Sequence, residues 1–143
     1  MEIRYATEKD YKKISRSLYN KKISYNTPLH AKNDILSNNL IIAIDNGKIL
    51  GSVALQNKPE FDYMGICRVC IYNKKNNGKG IASALLKYIC SLGIENLGAT
   101  PWDTNPTMCH LFEKFGFEYQ YTFMEHYCFY KKVLTNEKKD DII

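Results

Sequence analysis

No apolar run in this chain approaches the roughly 20 residues that a helix needs to cross a bilayer. The longest candidate, Leu40 to Ile44, is strand-sized. The opening, Met1-Glu2-Ile3-Arg4-Tyr5, lacks a charged-then-apolar signal segment. Both absences lead us to expect a soluble, cytoplasmic protein. Gly-x-x-x-x-Gly-Lys-Ser/Thr is missing, which removes the Walker type of nucleotide loop. Gly-x-Gly-x-x-Gly is missing too, and with it the main signal for a Rossmann dinucleotide site. Arginine is scarce beside lysine, and no Arg-rich patch or nucleic-acid motif is present. The net charge of +5 therefore reads as a solvated lysine surface, one that also suits a polyanionic small molecule.

Cysteines number five, at positions 67, 70, 90, 109 and 128. The odd count and irregular spacing speak against a disulfide framework and fit reduced thiols. Cys67-Arg68-Val69-Cys70 has Cys-x-x-Cys spacing. On a strand, however, residues three apart face opposite sides, and no second Cys pair or His pair completes a site. We expect no metal and no redox role.

What remains is 143 residues with a 45% hydrophobic share, enough for one domain with a real core. We expect that domain over 1–134, with a charged, frayed tail over 135–143. Glu2 to Ala6 reads as a strand. Thr7-Glu8-Lys9-Asp10 caps a helix from Lys9 to Leu18 with Tyr11, Ile14 and Leu18 inward. Tyr19 to Leu29 is polar and irregular. Ala31 to Asn38 reads as a short helix burying Ile35 and Leu36. Leu40 to Asp45 and Lys48 to Gln56 are strands joined at Asn46-Gly47, a pair that supplies the positive φ angles of a tight primed turn. Gly51 marks a bulge or a close approach. Phe61 to Tyr72 is the third strand of this antiparallel meander.

The stretch from Tyr72 to Gly93 organises the rest. It is a strand end, a loop rich in Asn, Lys and Gly, and then a helix with Ile81, Leu85, Ile89 and Leu92 on one stripe. A loop entering a helix leaves unpaired N–H groups at the helix end, and these, with the helix dipole, favour an anion. Gly78 and Gly80 let a phosphate approach the backbone, and Lys79 adds charge. After the helix, Asn96 to Thr100 forms the heart of a strand. A strand, helix, strand unit implies a parallel pair. Thr104 or Asn105 caps a further helix with Pro106 in its first turn. Met108, Leu111, Phe112 and Phe115 form its apolar face. Phe117 to Phe123 and Tyr127 to Leu134 are aromatic final strands around a turn at Met124-Glu125-His126.

Asn77-Gly78-Lys79-Gly80-Ile81-Ala82 resembles the acyl-CoA pyrophosphate loop of the GNAT acetyltransferase superfamily, Gln/Arg-x-x-Gly-x-Gly/Ala. The Gly and Ala positions match, and Asn77 replaces Gln or Arg. Asn105 to Phe117 resembles the GNAT segment Asn-x-x-x-x-x-Leu-Tyr-x-Lys-x-Gly-Phe through Asn105, Leu111, Lys114, Gly116 and Phe117. One helix and one strand separate the two motifs, as in the family.

The resemblance implies a mixed α/β (α+β) fold. Its sheet is mostly antiparallel, of six to seven strands flanked by about four helices, with a parallel pair splayed at the cofactor site. It implies acetyl-CoA as co-substrate and no metal. Backbone groups of Cys70, Ile71 and Tyr72 would pair with the pantetheine arm, and the loop amides from Asn77 to Ala82 would hold the pyrophosphate. Asn105 would contact the pantetheine, and Phe112 would join it among the cofactor-binding residues. The Tyr72 backbone N–H would face the developing oxyanion. Phe112 stands where many members carry a tyrosine general acid, and a phenyl ring donates no proton.

Other candidates carry less. Asp103 reads as an amine-binding carboxylate or a helix cap. Glu60 and Asp62 are weaker bases, Cys109 a small buried residue, His110 a surface residue, His126 a turn residue and His30 a loop residue. The leading expectation is an N-acetyltransferase acting on a small-molecule or protein amine by direct attack. A non-catalytic acyl-CoA-binding module is the alternative, motivated by Phe112. A basic nucleic-acid-binding domain ranks below both. No nucleic acid or membrane partner is expected, and the aromatic final strands offer a homodimer edge.

Overall fold

The computed structural model describes residues 1–21, 26–59 and 62–133. Along the chain run β1 (Glu2–Tyr5), α1 (Tyr11–Lys21), α2 (Pro28–Leu36), β2 (Leu40–Asp45), β3 (Lys48–Lys58), β4 (Tyr63–Ile71), α3 (Ile81–Cys90), β5 (Leu97–Ala99), α4 (Pro106–Lys114), β6 (Phe117–Phe123) and β7 (Tyr127–Lys132). The class is mixed α/β, as expected. The strands are hydrogen-bonded in the order β1-β2-β3-β4-β5-β7-β6, mostly antiparallel with β4 and β5 parallel. The expectations for Glu60, the Phe61 strand start, Leu134 and the tail over 135–143 lie outside the described residues, as does part of the Tyr19–Leu29 segment.

The chain divides into two compact units, Met1–Gln56 with Ile66–Leu92, and Asn57–Gly65 with Gly93–Ile143. In the first unit, Arg4 grips Asp10 with two N–H bonds of 2.8 and 2.9 Å, and Asp10 also accepts the Thr7 N–H at 2.8 Å. This closes the chain reversal between β1 and α1. Ile14 and Leu18 are fully buried, and α1 continues one turn beyond its expected end, to Lys21. Helix α2 starts three residues before its expected position, capped by Thr27 with Pro28 in the first turn. Ala31 and Ile35, four apart on one face, are buried, Ile35 as expected, while Leu36, about 100° further round and expected in the core, is 63% exposed.

The β2–β3 turn follows the Asn-Gly expectation. Asn46 and Gly47 have φ of 51° and 76°, and Asp45 pairs with Lys48. Gly51 is both a register neighbour of the irregularity at Ala43/Ile44 and a site of close approach. A Cβ there would sit 2.6 Å from the Cys70 carbonyl oxygen.

Strand β4 departs from the sequence reading. Cys67, Cys70 and Tyr72 all pack against the cluster formed by Ile14, Leu18, Ala31, Ile35, Leu40 and Ile42. Cys67 and Cys70, three apart, were expected on opposite faces. The reason is Arg68, whose φ of 52° is left-handed inside the strand and shifts the side-chain alternation by one residue. A non-glycine residue held there costs on the order of 1–3 kcal/mol. Arg68 is tied down by two hydrogen bonds to the Asp34 carboxylate, 2.6 and 2.8 Å, from α2.

In the second unit the packing is aromatic. Phe112 meets Phe117 edge-on at 5.2 Å and Tyr130 at 6.4 Å, and Phe129 meets Tyr63 and Tyr121. Of the four apolar residues expected inward on α4, only Phe112 is buried; Met108, Leu111 and Phe115 are half-buried. Strand β6 ends the sheet order, with Tyr119 and Tyr121 exposed.

Candidate functional site

The expected anion loop has the form that the sequence suggested. Strand β4 ends at Ile71, a 3₁₀ turn covers Lys74–Asn76, and α3 starts at Ile81. Gly78 and Gly80 have φ of 78° and 77°. No protein atom lies within 4 Å of a Cβ built at either position, so glycine is required there by the backbone angle and not by crowding. The first i to i−4 bond of α3 runs from Ala84 N–H to Gly80 O at 2.9 Å. The amides of Ile81, Ala82 and Ser83 therefore have no carbonyl below them within the helix. Asn77, Gly78, Lys79 and Gly80 are exposed, as are Lys74 and Lys75, which add positive charge. The helix is anchored behind the loop by Ile81, Leu85, Leu86 and Ile89, all buried.

At the end of β4, Cys70 is buried and Ile71 and Tyr72 are half-buried. The Tyr72 backbone N–H donates to Leu50 O at 2.9 Å, so the expected oxyanion donor is already engaged by β3. The Tyr72 hydroxyl donates to Ser52 Oγ at 2.7 Å, and burial pushes the phenol pKa well up. Burial also raises the Cys70 thiol pKa, with Lys21 and Asn26 pulling the other way. Lys21 Nζ donates to Ile71 O at 2.7 Å. The sequence reading passed over Lys21, Asn26, Ser52 and Arg68. For Lys21 a signal existed: it continues the Tyr11, Ile14, Leu18 stripe by one more helical step. Asn26 and Ser52 carry none, because their role comes from contacts distant in sequence.

In the second unit, Asn105 caps α4, its Oδ1 accepting the Met108 N–H at 3.3 Å. Asp103 is not a cap. Its Oδ1 lies 3.2 Å from His126 Nδ1, and its N–H donates to His126 O at 2.8 Å. Phe112 is 2% exposed. Beside it, the Tyr130 hydroxyl donates to Glu113 Oε2 at 3.1 Å, and burial, with Cys109 and Glu113 nearby, raises that phenol pKa. Cys109 is half-buried, with Sγ 3.6 Å from Trp102 O. His110 lies on the surface beside Glu113, as expected. His30 is not a loop residue. It sits in the first turn of α2, where its Nδ1 accepts the Thr27 N–H at 3.0 Å. Asp62 is exposed just ahead of β4. Among the described residues no cluster of His, Cys, Asp or Glu could hold a metal ion, and no helix is long and apolar enough to cross a membrane.

The sequence matches the family described as Acetyltransferase (GNAT) domain over residues 37–119, more than half of the chain. No curated protein matches it in sequence. Among solved structures it is similar to a GNAT-family acetyltransferase from Bacillus cereus ATCC 10987, with TM-score 0.79 and 19% identity over 94% of this chain and 98% of that one. It is similar to diaminobutyrate acetyltransferase from Paenibacillus lautus, in complex with L-2,4-diaminobutyric acid and coenzyme A, with TM-score 0.68 and 15% identity over 91% and 92%. It is also similar to N-acetylglutamate synthase from Neisseria gonorrhoeae, complexed with coenzyme A and N-acetyl-glutamate, with TM-score 0.69 and 18% identity over 93% of this chain and 35% of that one. Sharing their fold, and matching the family model from ahead of β2 to within β6, the chain belongs to the GNAT acetyltransferase family.

Proposed function

We propose that this chain is an N-acetyltransferase that moves an acetyl group from acetyl-CoA to a primary amine by direct attack, with both substrates bound together. The observation that carries this is the loop from Asn73 to Gly80, which feeds the open first-turn amides of α3 through two left-handed glycines. Those amides suit a pyrophosphate, and Lys79 adds a point charge. The backbone of Cys70 and Ile71 would run beside the pantetheine arm. Asn105 and Phe112 enter this reading through their motif alone. The neutral amine attacks the thioester carbonyl, a C–N bond forms, the C–S bond breaks, and the thiolate leaves while the amine sheds its proton to solvent or a base. Holding two substrates in register supplies most of the rate. A thiolate is a tolerable leaving group near neutral pH, so no side-chain acid is required at position 112. The coenzyme A ligands of the two neighbours above support the co-substrate assignment.

The second reading is a non-catalytic acyl-CoA-binding module. Phe112 favours it, because the ring is buried and has no proton to give. We place the protein in the cytoplasm, with no metal and no nucleic acid in its role, and with β6 as a pairing edge for a second copy. Thermal unfolding with acetyl-CoA, CoA and ATP tests the co-substrate. At 100 times Kd a ligand adds about 2.7 kcal/mol to native-state stability. A rise with acetyl-CoA but not with ATP is expected, and no rise at millimolar acetyl-CoA would sink both readings. Release of free CoA thiol across an amine panel then separates enzyme from module.

A further inference from the structure

Asn26 stands immediately ahead of the Thr27 cap of α2 and is only 4% exposed. Among the described residues its buried side-chain Nδ2 makes no hydrogen bond within normal reach, and the Cys70 thiol is the polar group beside it. Buried donors are almost always paired, so this one marks a place where an acceptor oxygen belongs. Its neighbour Cys70 does not fill that need. Burial keeps the thiol protonated, and a neutral sulfur is a weak acceptor. Lys21 flanks the same thiol. The Ile71 carbonyl takes one of its ammonium hydrogens and leaves the others. Among the described residues Lys21 has no carboxylate partner; Asp34, the acid that α2 turns toward β4, is held by Arg68. The Tyr72 hydroxyl is directed to Ser52. Among the described residues, the end of β4 thus presents, on its α1 and α2 side, one cation and one unpaired amide donor with no anion to neutralise them.

We propose that Lys21 and Asn26 form a subsite for the carboxylate of the amine acceptor, so that the acceptor is an amino acid rather than a simple amine. This rests on the acetyltransferase reading. One ammonium balances one carboxylate, whereas a phosphate dianion would keep excess charge in a partly buried place. Both groups sit beside Cys70 and Ile71, the residues assigned to the pantetheine arm. A carboxylate held there positions the amine and takes no part in bond making.

The test pairs each common L-amino acid with its decarboxylated amine, lysine with cadaverine and ornithine with putrescine among them, in acetyl-CoA turnover and in binding. The acid form of the best pair should be favoured in kcat/KM by at least about tenfold. Lys21→Met and Asn26→Asp should each bring that ratio near one, mainly through KM, while the thermal shift with acetyl-CoA stays. Amines that react as well as their parent acids overturn the proposal. So does an Asn26→Ala enzyme whose kcat falls equally for acids and amines, since Asn26 would then serve the thioester. Failure of every acid to bind or react while acetyl-CoA still stabilises the protein overturns the subsite and spares the co-substrate. Absence of any acetyl-CoA binding removes both.

Discussion

Two segments of this chain carry family motifs, and the structure uses their matched residues in opposite ways. In the loop before α3 the matched positions are chemically open. Gly78 and Gly80 touch nothing with their vacant side, and the amides of Ile81 and Ala82 have no helical partner. In α4 the matched positions serve the fold. Asn105 closes the helix end, and Phe117 packs against Phe112, the one position where the segment departs from the motif's tyrosine. A motif match therefore identifies family membership at both places but points to ligand chemistry at only one. Groups left without an internal partner are the ones available to a ligand.

Three substitutions sharpen or break this contrast, and a fourth sets a reference outside it. Phe112→Ala removes a fully buried ring and should cost about 3–5 kcal/mol of stability. Denaturant unfolding should show that loss while the surviving folded protein still answers acetyl-CoA. A melting point unchanged by this truncation would break the contrast from the α4 side. Gly80→Ala forces a side chain into a left-handed angle at roughly 1–2 kcal/mol, with no clash to add to it. Its larger effect should be on affinity, read as loss of the acetyl-CoA thermal shift at fixed ligand. Retained affinity in this variant would break the contrast from the loop side.

Asp10→Asn is a comparison outside both motifs. The Arg4 hydrogen bonds and the Thr7 N–H hold the Asp10 carboxyl pKa down at about 2, against the opposing pull of burial. A depressed folded pKa adds stability above the unfolded value of roughly 4. That stability drains away as pH falls from there toward about 2. The wild type should exceed Asp10→Asn by on the order of 1–2 kcal/mol at neutral pH, with the gap closing in acid. Asn105→Ala should cost about 1 kcal/mol, the ordinary worth of a helix cap. A fall in acetyl-CoA affinity far beyond that loss would restore a ligand role to Asn105.

Much of the fold was legible because its signals are local. Strand β2 occupies Leu40–Asp45 as read, the Asn46-Gly47 turn has the angles its residues favour, and the stripe of α3 faces the core. The errors came where distant contacts decide. Leu36, expected in the core beside Ile35, is exposed, because the face of α2 that packs inward carries Ala31 and Ile35, and a short segment's periodicity alone could not fix that phase. Cys67 and Cys70 share a face because Arg68 is held in a left-handed angle by Asp34, a residue far back in the chain. Tyr72 N–H is engaged by Leu50, which only the strand pairing reveals. The Asn26 and Lys21 pair escaped notice for the same reason. Neither residue belongs to a motif, and both take their meaning from the Cys70–Ile71 end of β4.

The inverted angle at Arg68 has a practical consequence for anyone redesigning this strand. A library that writes one alternating pattern through β4 will be in phase on one side of residue 68 and out of phase on the other. Its apolar choices would then be sent to the wrong layer over half the strand. The pattern has to be broken and restarted at Arg68, with that position reserved for Arg, Gly or Asn and co-varied with Asp34.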